Sequence, residues 1–313
     1  MTMTQTAPTA APTAAPVPAG RLNRGTRDRL TRAVLRNPIV LASAMFIGLL
    51  FVVAVAVPAL PLREPTEQSV VRRLKPPTAD NVLGTDRLGR DILSRLLWGT
   101  RVSLLVGLGV VAVSAVLGTA IGLVSGYTRG PGSETLQRIV DILLAFPPLI
   151  LAMVMVTVLG ASLQTVIAAI SIGVVPRFAR VARATILGIK EREYVLAARA
   201  LGANTPGILL RHILLNAIDP LIVLCTLLVP SAILTEAMLS FLGLGITEPT
   251  PTWGNMINNG RVVLREAPWL TLFPSAAIAL TVVAFNLLGD AIRDALDPAT
   301  DDSPASSVRA SVA

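Results

Sequence analysis

Few residues in this chain of 313 could carry out chemistry, and their spacing excludes most of it. The two lysines, Lys75 before Pro76 and Lys190 after Ile189, leave no Gly-Lys pair, so the sequence has no phosphate-cradling loop of a nucleotide hydrolase. One histidine, His212, cannot make a two-histidine metal site. One cysteine, Cys225, inside an apolar run, allows neither an intrachain disulfide nor a thiolate metal site. Gly107, Gly109 and Ala112 have the spacing of a dinucleotide fingerprint, but they lie in an apolar run with no preceding strand. No catalytic group, metal or cofactor is therefore expected. What remains is three isolated carboxylates, Asp141, Asp219 and Glu236, within or at the ends of apolar stretches. An unpaired charge at membrane depth is costly, so each either pairs structurally or lines an aqueous path. Pro147-Pro148 and Pro220 interrupt regular hydrogen bonding in the same stretches, which lipid tolerates only where the backbone is protein-buried or faces water.

The elements that carry these residues are membrane helices. A composition 53% hydrophobic and 15% charged, with mean hydropathy +0.68, exceeds what a water-soluble globule can bury. Crossing a hydrocarbon core of about 30 Å takes roughly 20 apolar residues. Six stretches qualify: 37–62, 102–126, 139–159, 163–175, 217–242 and 270–292. The fold class expected is an all-α polytopic membrane protein with six transmembrane helices. Pro147-Pro148 breaks the third, and Pro176 with Arg177 and Arg180 ends the short fourth. In the second, Gly118, Gly122 and Gly126 recur every four residues, which puts three positions without side chains on one face for close approach of a neighbour.

Charge sets the orientation. Six arginines between Arg21 and Arg36 hold the N-terminus in the cytoplasm, and the first run lies too deep and is too long for a cleaved leader. Six crossings return the C-terminus to the same side and place 17 of the 27 cations there, with loops 63–101 and 243–269 outside. The net charge of +8 thus reflects membrane orientation, and no nucleic-acid partner is expected. Residues 1–36 form a disordered, basic cytoplasmic segment, 37–298 the transmembrane domain, and 299–313 a disordered cytoplasmic tail.

Loop 177–216 carries seven cations and belongs in the cytoplasm. Within it Tyr194, Ala197, Ala198 and Leu201 recur at i, i+3, i+4 and i+7, Arg199 lies off that stripe, and Gly202 follows as a C-cap would. This is a short amphipathic helix with a thin, alanine-rich face. Two readings stand at this point: insertion into a cleft on another protein, or a solvated turn between membrane helices.

The segment Tyr194-Val-Leu-Ala-Ala-Arg-Ala-Leu-Gly202-Ala with Arg211-His-Ile-Leu-Leu-Asn216 resembles the cytoplasmic EAA loop of ABC-importer inner-membrane permeases of the dipeptide/oligopeptide/nickel type. Leu83-Gly-Thr-Asp-Arg-Leu-Gly-Arg-Asp91 through Trp98-Gly-Thr-Arg101 is similar to the lead into the second helix of their C-type subunit. Asp141-Ile-Leu-Leu-Ala-Phe-Pro147, Ser240-Phe-Leu-Gly-Leu-Gly245, Pro251-Thr-Trp-Gly254 and Asn286-Leu-Leu-Gly-Asp290 extend the likeness over most of 37–298. Leu196 stands where the motif has glutamate, and Leu215 where proline commonly precedes the asparagine.

The resemblance implies a type I importer permease in a bacterial cytoplasmic membrane, with a coupling helix that docks on an ATPase. Two ATPase subunits, a second, dissimilar permease and an extracytoplasmic solute-binding protein are the implied partners, and peptides the implied substrate, with nickel complexes or glutathione as alternatives. Tyr194, Ala197, Ala198, Arg199, Gly202, Arg211 and Asn216 become the ATPase-coupling candidates. Asp141, Pro147, Pro148, Asp219 and Glu236 become the pathway candidates, with Glu236 near the outer end placed to meet incoming solute. An autonomous secondary transporter would need a coupling-ion site in paired broken helices, and an intramembrane hydrolase a nucleophile and base at matched depth. The scattered single carboxylates and lone histidine supply neither.

Overall fold

The computed structural model describes residue 35 and residues 37–296; the expectations for residues 1–34, 36 and 297–313, the two disordered ends included, lie outside them. Nine helices organise the described residues: α1 Pro38–Ala56, α2 Ile92–Tyr127, α3 Pro131–Ala145, α4 Pro148–Leu159, α5 Leu163–Ile189, α6 Glu193–Ala200, α7 Leu215–Phe241, α8 Trp253–Arg261 and α9 Trp269–Leu296. Short 3-10 turns follow α1 at Val57–Ala59 and lie in the next loop at Val70–Arg72, and a π-helical stretch, Ile208–Leu214, leads into α7. α1, α2, α5, α7 and α9 are long and apolar enough to cross a membrane. The pair α3 and α4, bent by 93° at Pro147, makes the sixth crossing if its halves form one span.

The helices begin where the sequence supplies caps. Asn37 accepts from the Ile39 amide at 3.0 Å, Asp91 from Ser94 at 2.9 Å and Ser162 from Thr165 at 3.1 Å, each satisfying an amide that has no intrahelical partner. Pro38, Pro131 and Pro148 stand in first turns, where a missing N–H costs nothing. Ile39, Met45, Leu49, Val52 and Val55 of α1 remain exposed, as a lipid-facing helix allows.

α2 packs on α5 along the glycine seam. A Cβ on Gly118 would lie 2.5 Å from Phe178 Cβ and 2.6 Å from the Val175 carbonyl oxygen, and one on Gly122 would lie 2.5 Å from Ala182 Cβ and 2.7 Å from the Ala179 oxygen. Further out, Ser171 Oγ donates to the Ile167 oxygen at 2.7 Å and reaches the Val110 oxygen at 3.4 Å, and Ser114 Oγ reaches back to the Ser171 oxygen at 3.4 Å.

Three boundaries differ from the sequence expectation. The fourth crossing does not stop at Pro176: α5 runs through it to Ile189 and carries Arg177, Arg180 and Arg183 on helix instead of loop. An interior proline costs a helix about 3 kcal/mol. Continuing the helix packs Phe178, Ala179, Ala182 and Ile186 against the seam, in the close van der Waals contact on which helix association in lipid rests. The second crossing begins ten residues early, at Ile92, because Asp91 caps it and Arg95 is neutralised inside the protein. The third is two helices meeting at a near right angle, with Pro148 seated on Gly173 of α5.

The seam should resist side chains. Gly122→Leu is expected to force α2 from α5 and cost at least about 1–3 kcal/mol, whereas Gly48→Ala on α1, where an added Cβ meets nothing within 4 Å, should be neutral or slightly stabilising. Thermal unfolding in detergent compares them, and equal melting temperatures would remove the seam from its central place.

Candidate functional site

At the end of the bundle that the sequence assigns to the cytoplasm, α5 and α2 finish side by side. Lys190, the C-cap of α5, is buried and donates from Nζ to the Gly126 carbonyl at 2.9 Å, a cation on the carbonyl-rich end of α2. Two residues on, α6 begins, with Glu193 in its first turn and Arg199 in its last, both favourable to the helix dipole. Val195, fully buried, anchors α6 in a core cluster that also holds Ile208 and Ile213 of the π-helical stretch.

The amphipathic stripe read from the sequence is divided between two faces. Tyr194 and Ala198 turn partly inward beside Val195, whereas Ala197 is exposed, together with Leu196 (48%) and Leu201 (88%). α6 ends at Gly202 with φ +84°, where the Gly202 amide donates to the Arg199 oxygen and the Ala203 amide to the Ala198 oxygen, at 3.0 and 3.1 Å. This double hydrogen bond needs a left-handed residue, which glycine supplies without a Cβ penalty. Arg199 lies over the Tyr127 ring at 5.5 Å and donates to its hydroxyl at 3.2 Å, which ties α6 to the end of α2. Arg211 is exposed. Asn216 donates to the His212 oxygen at 2.6 Å, satisfying a carbonyl within the π-helical stretch.

The pathway candidates do not converge. Asp141 on α3 pairs with Arg180 on α5 at 2.9 Å, with both side chains mostly exposed. Asp219 is partly exposed and unpaired, and Pro147 and Pro148 lie exposed at the α3/α4 bend. Glu236 corrects the expectation most directly, because it has no exposed surface. Ser240 Oγ donates to its Oε1 at 2.7 Å, Oε2 has no partner, and the first turn of α8 lies across it, since Gly254 has no side chain to hold Ala237 and Ser240 away. In this chain the carboxylate is enclosed by protein.

At the opposite end of the bundle, sequence reading missed a network of four charged residues. Asp86 Oδ2 accepts from Arg90 Nε at 2.6 Å. Glu248 accepts from Arg90 Nη1, from Arg95 Nη2 at 2.9 Å and from Asn259 Nδ2 at 2.9 Å. Arg95 also donates to the Pro65 oxygen at 3.1 Å, and Ser94 Oγ to the Arg63 oxygen at 2.5 Å. Loop 60–91 is thereby fastened to the head of α2 and to the segment before α8. Trp253 completes the junction: its indole donates to the Leu96 oxygen at 3.1 Å, and Gly99 gives it room. The alternation of charges in Asp86, Arg90 and Asp91 was visible in the sequence, but Glu248 is 158 residues from Arg90 and no local pattern joins them.

Burial alone would raise the Glu248 carboxyl; the hydrogen bond from Arg90, the charges of Arg95 and Arg90, and the Asn259 amide outweigh it and hold the group below its ordinary 4.5. A depressed folded value stabilises the protein above the unfolded value, and that contribution is lost only as pH falls through the folded one. Glu248→Gln should cost roughly 1–3 kcal/mol near neutrality, less than a wholly buried pair because 38% of the side chain is exposed. The difference in melting temperature between parent and variant should persist from pH 7 to about 4.5 and close only in more acid solution. A difference already gone at pH 6 would contradict the network.

Residues 118–302 match the family model described as "Binding-protein-dependent transport system inner membrane component". The dipeptide transport system permease protein DppC of Alkalihalophilus pseudofirmus is 40% identical over 263 residues, 84% of this chain and 86% of that protein. The glutathione transport system permease protein GsiD of Pectobacterium atrosepticum is 42% identical over 268 residues, 85% of this chain and 89% of its own. The probable D,D-dipeptide transport system permease protein DdpC of Escherichia coli is 41% identical over 262 residues, 84% and 88% of the two chains. The bundle of membrane-length helices and these matches agree: the chain belongs to the family of binding-protein-dependent transport system inner membrane components.

Proposed function

We propose that this chain is one of two dissimilar permease subunits of a bacterial importer of peptides, with dipeptides or glutathione as its chemical range. Two ATPase subunits drive it and an extracytoplasmic solute-binding protein feeds it. The observation that carries the reading is α6: a short helix whose inner side is locked into the bundle while Leu196, Ala197 and Leu201 stay exposed beside it. Small and aliphatic groups on a rigid projection suit insertion into a protein cleft better than a lipid surface, where bulky aromatic anchors are expected. The peptide class rests on what the relatives' names state.

The second permease subunit fits the apolar groove between α4, α7, α8 and α9, of about 500 Å³, where Leu149, Met238, Phe241, Ile257 and Ile278 form the walls. α4 and α7 are the later half of the third crossing and the fifth, the pair the sequence nominates for the translocation path.

Bulk or charge on α6 should uncouple. Ala197→Trp and Leu201→Glu leave the buried Val195 side untouched, and Gly202→Val strains a left-handed residue by about 1–2 kcal/mol. Each is expected to reduce ATP-driven uptake at least tenfold in the reconstituted complex and to weaken co-purification of the ATPase. Uptake at parental rates would refute the coupling role.

Orientation is tested by thiol labelling with Cys225 first replaced by Ala. Thr85 is fully buried and unsuitable, but Val71, 80% exposed in loop 60–91, and Thr205, exposed after α6, are accessible. Val71→Cys should react with an impermeant reagent in intact cells, and Thr205→Cys only after lysis. The opposite pattern would invert the topology.

A further inference from the structure

A polar cleft of about 220 Å³ opens on the outer side between the end of α7 and α8, walled by Ser240, Thr247, Glu248, Asn255, Asn258 and Asn259. Asn255, Asn258 and Asn259 stand at i, i+3 and i+4, so one face of α8 presents three carboxamides. They are not equivalent. Asn255 is consumed by structure: its amide donates to the Thr250 oxygen at 2.7 Å, and its Oδ1 accepts from the Thr252 amide at 3.0 Å in a capping box. Asn259 spends one N–H on Glu248 and keeps its oxygen. Asn258, half-buried in the cleft wall, has no partner among the described residues and keeps a donor and acceptor pair.

The electrostatics of the cleft are as specific as its amides. Glu248 is the charged member of the wall, and Arg90 and Arg95 neutralise it from behind. The cleft therefore holds no free charge to capture an ammonium or a carboxylate, yet its floor is fixed by a buried ion network and a capping box. Rigid, uncharged, paired donors and acceptors match a group that is itself a paired donor and acceptor: the peptide unit.

We propose that this cleft is a transit site for peptide backbone at the outer mouth, where Asn258, with Asn259 and Thr247, hydrogen-bonds the amides of the incoming solute irrespective of its side chains. The inference rests on the peptide-import reading above and deepens it. A segment of the binding protein would offer the same backbone chemistry, and the transported peptide is the occupant to which the proposal commits, because the open amides line a small cleft and not a broad face.

The test uses the reconstituted complete transporter with trialanine and with trialanine N-methylated at both backbone amides, which removes the donors while keeping length, side chains and charge and adding two methyl groups. Asn258→Ala and Asn258→Leu should lower trialanine uptake about five- to tenfold at saturating binding protein. Neither should further lower the slower uptake of the methylated peptide, so that the parent's preference between the two collapses in the variants. Size-exclusion chromatography verifies assembly, and Asn258→Gln, which keeps the amide, should restore part of the preference. Unchanged trialanine uptake, or equal losses for both peptides, overturns the site. So does a loss that appears as weaker ATPase stimulation by solute-free binding protein, since that assigns the cleft to docking. If the parent complex imports neither trialanine nor glutathione, the peptide-import reading itself falls and takes the cleft with it.

Discussion

The structure depends on one close approach, that of α2 to α5 along Gly118, Gly122 and Gly126. In lipid, apolar side chains gain nothing by leaving solvent for a neighbour, so helix association rests on van der Waals contact and on short polar links between backbones. Three missing side chains bring the two backbones within reach of each other's carbonyls, and Ser114 and Ser171 add hydrogen bonds across the same interface. Everything at the α6 end of the bundle follows. α5 is held helical past its proline, its terminal lysine reaches the Gly126 carbonyl, and α6 is set down beside Tyr127, where Arg199 finds both a ring and a hydroxyl.

The other end of the bundle is built on the opposite principle, charge enclosed by charge. Arg95 and Arg90 are nearly inaccessible and Asp86 is buried with them, an arrangement that water would not favour unless every partner were in place. Removing two guanidinium groups from solvent costs several kcal/mol each, so the network gains its value less from net stability than from fixing where loop 60–91, the head of α2 and α8 meet. The neutral polar cleft exists because that network absorbs the charge of Glu248 behind its wall.

The sequence was most legible where the physics is periodic or local. Six apolar runs gave the crossings, four-residue glycine spacing gave the seam, and Gly202 gave a left-handed cap that is present. It was least legible where long-range packing overrides a local rule. Pro176 is a helix breaker by every local criterion, and only the buried row from Phe178 to Ile186 explains its survival within α5. Glu236 looked like a pathway group because an apolar run flanks it; the turn that covers it comes from Gly254, 18 residues later. The stripe of Tyr194, Ala197, Ala198 and Leu201 does not form one face, because Tyr194 and Ala198 turn partly inward while Ala197 and Leu201 are exposed. Which side faced inward was decided by Val195, a residue off the stripe.

α2 and α7 run between the ion-network junction and α6 with unequal stiffness. α2 has 36 residues without a proline, about 54 Å at 1.5 Å per residue, with the ion network clamped to its head and Lys190 to its foot. Its charge-free part begins at Val102, and the ten residues from Ile92, about 15 Å of helix, carry Arg95 and Arg101. α7 contains Pro220 and Pro230 and is preceded by a π-helical stretch, three places where the regular hydrogen-bond ladder is broken and bending is least costly. α6 is linked to both: through Arg199 to the foot of α2, and through Val195, with Ile208 and Ile213, to the start of α7. A force applied at α6 therefore meets a straight strut on one side and a jointed one on the other. The jointed helix is the one whose outer end forms the wall of the cleft.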